Sequence, residues 1–107
     1  MNAKLFIDET IIGTVNLKIT DEYMGVLTGY LTPNENYHNY KEIILNQFDK
    51  VGISNKEHLN YNLILENGFI LNPEGGIGVS HSRDFIDEIF VETAGNDIEK
   101  IKINFEM

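Results

Sequence analysis

No cysteine occurs in the chain, which excludes a disulfide framework and a thiolate metal site; this fits the reducing cytoplasm expected here and is compatible with the periplasm as well. Long apolar runs are missing too. Nothing approaches the roughly eighteen consecutive apolar residues that a membrane-spanning helix needs. Asp8 and Glu9 interrupt the N-terminal stretch where a signal peptide carries an unbroken apolar region. Basic residues are scarce, 8 against 17 acidic ones, which leaves a net charge of −9 and a pI near 4.6. They are scattered, with Lys100 and Lys102 the one close pair. This balance speaks against nucleic acid and anionic membrane as partners and is compatible with a basic protein.

Catalytic signatures are equally sparse. There is no Gly-x-Ser-x-Gly elbow, no Gly-Lys-Ser/Thr phosphate loop, and no His-x-x-x-His or His-Glu-x-x-His spacing. His38, His58 and His81 lie far apart in sequence and are expected at the surface. No catalytic residue, metal or cofactor is therefore assigned.

What is present is a globular composition, 42% hydrophobic and 23% charged, which reads as one domain over residues 1–107. The densest apolar stretch is Leu59 to Leu71, with Asn67-Gly68 at its centre. That dipeptide supplies the positive φ values of a type I′ turn, so a hairpin is expected there. A two-residue loop pairs Glu66 with Phe69, Leu65 with Ile70 and Ile64 with Leu71. Tyr61, Leu63, Leu65 and Ile70 then share one face, and Ile64, Phe69 and Leu71 the other. With apolar residues on both sides, the hairpin is expected to be central and covered twice.

Lys4–Ile7, Ile11–Ile19 and Met24–Leu31 read as three strands, the second alternating apolar and polar as an antiparallel strand with one wet face does. Gly25 and Gly29 in the third mark a close approach or a bend of the sheet. Thr32-Pro33-Asn34-Glu35 has the form of a capping box. It opens one long helix from Pro33 to Val51, with Tyr37, Tyr40, Ile44, Phe48 and Val51 on its apolar stripe and Gly52 ending it. Ser54-Asn55-Lys56-Glu57 repeats the capping pattern, which predicts a short helical turn. Residues 72–78, with three glycines and Pro73, read as a surface loop. Val79–Arg83 follows as a short strand or edge. Phe85–Thr93 and Ile98–Phe105 alternate as a final hairpin, Val91 opposite Ile101, Glu92 against Lys100 and Phe90 against Lys102. The expected fold is α+β: a strongly bent antiparallel sheet of about six or seven strands packed on one long helix, βββα, then ββ, then a C-terminal ββ hairpin.

Two stretches carry candidate sites. From Asp84 to Glu99 there are six acids and no base, and Glu88 and Glu92 flank an outward-facing Phe90. An aromatic anchor within an acidic rim is the pattern of an interface for a basic partner. The leading reading is thus a non-enzymatic protein–protein interaction module, of inhibitor or immunity type. The second stretch is the glycine-rich segment 72–84. Glu74, Gly75, Gly76 and Gly78, with His81, Arg83 and Asp84, would form a small-ligand site or a minor enzyme's centre if a concave pocket gathers them. Ser80 and Ser82 are not nucleophiles for His81, because neighbours in an extended segment point apart. A self-associating structural protein, dimerising through Phe90 and a free edge, is the third reading.

Overall fold

The computed structural model describes residues 1–105. Eight strands form one curled antiparallel sheet: β1 (Asn2–Ile7), β2 (Thr10–Asn16), β3 (Lys18–Asp21), β4 (Val26–Pro33), β5 (Ser54–Asn55), β6 (Tyr61–Leu65), β7 (Ile77–His81) and β8 (Ile89–Thr93). Helix α1 is Lys41–Val51 and α2 is Ile98–Phe105. The spatial order is β5-β7-β8-β4-β2-β1-β6, with β3 also on β4. Strands β2 and β3 are two halves of the expected Ile11–Ile19 strand. They part at Leu17, whose N–H and C=O bond to Met1.

Curling is enforced where backbones cross closely. A Cβ on Gly29 would lie 2.4 Å from the Asn16 carbonyl oxygen, so only glycine lets β4 pass the junction of β2 and β3. Inside the curl lie Leu5, Ile7, Val15, Leu17, Leu27, Leu63, Val79 and Val91, each nearly inaccessible. From α1, Ile44 and Leu45 turn inward, and Tyr37 joins them from the 3-10 turn before it.

The helix begins later than its sequence signal. Pro33 still pairs with Gly13 at the end of β4. The side-chain amides of Asn34 and Asn36 donate to the Ile11 carbonyl, and the Asn34 N–H to that of Ile12, which keeps the chain extended. Asn34 then caps a 3-10 turn over Glu35–Asn39, and α1 starts only after Tyr40. Val51 falls past the sheet and is exposed, while Gly52 closes the helix at φ +80 as expected. Ser54 is in β5 with its hydroxyl turned inward, and it is Asn55 that accepts from Glu57, His58 and Leu59 to form the next turn.

The hairpin at Asn67-Gly68 exists in another register. Gly68 N–H donates to the Leu65 carbonyl and Leu65 N–H to that of Phe69, while Ile64 faces Ile70. The loop is thus three residues, with Gly68 alone left-handed at φ +90, a type I turn closed by a bulge. A one-residue slip exchanges faces. Leu63, Leu65 and Leu71 point inward with Phe69, and Ile70 faces water at 62% exposure. β6 also ends the strand order, so the hairpin is a one-sided edge and not a doubly covered centre.

The C-terminal strand is a helix. Asp97 Oδ1 accepts from the Lys100 N–H and its carbonyl from the Ile101 N–H, which caps the first turn of α2. Ile98 and Ile101, three apart, are buried, whereas Ile103 is 78% exposed. Alternation at 101 and 103 and helical spacing at 98 and 101 were both available, and the Asp97 cap decides between them. The expected pairings of Glu92 with Lys100 and Phe90 with Lys102 therefore do not form. Lys102 instead pairs with Glu22.

Candidate functional site

Replacement of the expected hairpin by α2 changes the neighbours of β8. It now lies between β4 and β7, so Phe90 stands opposite Tyr30 and Ser80, and Glu92 opposite Thr28 and Gly78. Tyr30 and Phe90 meet edge to face with ring centroids 5.4 Å apart. Tyr30 is 59% exposed and Phe90 half-buried beneath it. Such a pair gives an interface a rigid, amphipathic anchor. Glu92 extends from the Phe90 face of β8, and Glu88 lies in the turn just before the strand, both exposed. Neither has a lysine opposite it. The nearest base by register is Lys18, paired with Thr28 on the far side of β4.

Beyond Glu92 the face runs into a groove of about 550 Å³. One wall is Ile53, Lys56 and Glu57, and the other is the glycine loop from Glu74 to Gly78. Gly78 leaves room for Ile53: a Cβ there would lie 2.3 Å from Ile53 Cδ1, so that side chain would have to turn aside. Without it, Ile53 lies across β7 and forms the apolar wall.

The other members of the glycine-loop reading go elsewhere. His81 is not at the surface. It occupies the third inward position of β7 after Ile77 and Val79 and is buried. Its Nδ1 is 2.7 Å from the Tyr37 hydroxyl, and its Nε2 is 2.7 Å from the Ile86 carbonyl. A carbonyl only accepts, so Nε2 carries the proton and Tyr37 donates to Nδ1. Burial pushes the Tyr37 hydroxyl well above the ordinary tyrosine range, with the nearby Tyr61 adding to the shift, so that proton is held firmly. Arg83 turns back onto α1, its Nε donating to Asp49 at 2.9 Å and its terminal nitrogen to Glu42 at 3.1 Å and Asn46 at 2.8 Å. These partners, Asp49 foremost, raise the guanidinium's affinity for its proton. Asp84 is exposed, its N–H bonded to the Ser82 hydroxyl. The structure thus keeps Glu74, Gly75, Gly76 and Gly78 together in the groove and removes His81, Arg83 and Asp84 from it.

A second polar cluster bridges the sheet's two ends. The Ser54 hydroxyl donates to Gln47 of α1, and the Tyr61 hydroxyl lies 2.8 Å from the same Ser54 oxygen. With Ser54's proton committed to Gln47, Tyr61 is the donor. Burial pushes the Tyr61 hydroxyl up to about 12, with Ser54 acting in the opposite direction. Among the described residues no group of three or more His, Asp or Glu side chains is placed to hold a metal ion, and no helix is long and apolar enough to cross a membrane.

Sequence reasoning did not assign Tyr30, Ile53 or Glu57 to the site. Tyr30 was signalled by position, since it alternates with Leu27 and Leu31 and so faces outward. Nothing local marks Ile53 or Glu57, which reach the groove through the turn after α1. Comparison of the chain with protein-family models, curated proteins and solved structures finds no match.

Proposed function

We propose that the chain is a non-enzymatic, cytoplasmic interaction module, of inhibitor or immunity type, that engages a basic protein through Glu88, Phe90 and Glu92. The observation carrying this reading is the edge-to-face pair of exposed Tyr30 and half-buried Phe90 beside exposed Glu88 and Glu92, with Thr28 and Gly78 rather than a lysine opposite Glu92. A net charge of −9 would speed encounter with a cationic surface, and the aromatic pair would hold it. Self-association through this face is disfavoured, because a two-fold axis would bring Glu88 and Glu92 of one copy against the same acids of the other. The ligand-binding alternative keeps a groove but loses His81 to the core and Arg83 to α1.

An inhibitor is usually encoded beside its target, so the product of the neighbouring gene is the partner to titrate by calorimetry. Affinity should fall steeply with added salt, and Glu88→Lys with Glu92→Lys should abolish binding. Phe90→Ala should weaken it by about thirtyfold, the scale of an interface hot spot. Undiminished affinity in the double-lysine variant removes the proposal.

A further inference from the structure

The groove beside β8 has a lining of two characters. Val26, Ile53 and Ile77 make an apolar bed, while Glu57, Glu74 and Glu92 supply three carboxylates against the single cation Lys56. Gly76 faces open space and holds φ +83, so a backbone laid along this wall meets no side chain there. An arginine fits such a lining. Its methylene stem covers apolar surface and its planar guanidinium can be shared between carboxylates. The protein already uses this mode on α1, where Arg83 spans Asp49 and Glu42.

We infer that the groove is a subsite for an arginine side chain of the basic partner, with Glu92 belonging both to the groove and to the aromatic face. This rests on the reading of that face as a partner surface, and it adds the side chain that the partner must present. Lysine would fit less well, since its compact ammonium cannot be divided between two carboxylates in one plane.

The test titrates the full chain with the peptide acetyl-Gly-Arg-Gly-amide, followed by amide shifts in two-dimensional NMR, with citrulline and lysine analogues in parallel. The arginine peptide should produce saturable shifts at Gly75, Gly76 and Gly78. Citrulline, which is neutral, should bind at least about fivefold more weakly, as should the arginine peptide to Glu57→Gln with Glu74→Gln, given the usual worth of an accessible ion pair. Shifts scattered over the acidic surface, or equal binding of citrulline, overturn the subsite. Failure of the face is read separately, from the neighbouring-gene product against Glu88→Lys and Phe90→Ala, neither of which lies in the groove. If those variants lose the partner while Glu57→Gln with Glu74→Gln keeps it within twofold, the groove inference falls and the face stands.

Discussion

Replacing Tyr37 by phenylalanine removes one oxygen from the middle of the molecule. That oxygen donates to His81 Nδ1 at 2.7 Å, and the two residues are only 2% and 1% exposed. The other ring nitrogen is committed to the Ile86 carbonyl. Exchanging tautomers gives no escape, because it would set the Nε2 lone pair against that carbonyl's own. The variant therefore strands a buried acceptor, at a cost of about 1–3 kcal/mol. In a domain of this size each kcal/mol lowers Tm by about 4–8 °C, so a fall of between about 4 and 24 °C is expected. Adding His81→Leu removes the stranded acceptor, so the double variant should lose less than the two single losses combined. Urea unfolding of the four proteins closes this cycle, and long-range nitrogen NMR reads the tautomer directly. A Tyr37→Phe loss below about 0.3 kcal/mol, losses that add within about 0.3 kcal/mol, or a proton found on Nδ1 would each refute the argument.

Two further outcomes follow from the same geometry. Tyr61 and Tyr37 both hold their protons more tightly when folded than the ordinary value of 10.0 allows. The stability this supplies is complete below pH 10 and is lost as pH rises through the folded values. Tyr61 alone should account for about 2–3 kcal/mol by pH 12, visible as a falling urea midpoint by circular dichroism, and a midpoint flat to pH 12 contradicts it. On α2, Ile103→Lys should change stability by less than about 0.5 kcal/mol, whereas Ile101→Lys should unfold the protein or cost more than about 3 kcal/mol. Equal damage from both would mean that the segment is a strand after all.

Gly68, Ile101, His81 and Phe90 differ in how far the sequence made their surroundings legible. Gly68 announced a hairpin but not its register, because residues 63–65 and 69–71 are apolar without alternation and give a slip no hydrophobic penalty at the level of sequence. Only the hydrogen bonds of a three-residue loop tell Leu71 to go in and Ile70 to stay out. Ile101 satisfied strand and helix periodicity alike, and the deciding information sat four residues earlier in Asp97. His81 was readable as an inward position once β7 is taken to start at Ile77; a start at Val79 hides the alternation. The acidic stretch around Phe90 was plain from composition, while the company it keeps, Tyr30 in place of Lys102, depends on pairing across sixty residues and was not.

The Ser54–Tyr61 contact joins strands that stand at opposite ends of the sheet order. The protein is in effect a sleeve with a slit, and along that slit side chains rather than a backbone ladder hold the two margins together. Every other neighbouring pair of strands is laced by main-chain bonds, so the slit is where the sleeve parts most readily. The hydroxyl clasp that closes the sleeve sits on Ser54, between Ile53 and Asn55 of the groove wall, so one short strand both shuts the fold and shapes the groove.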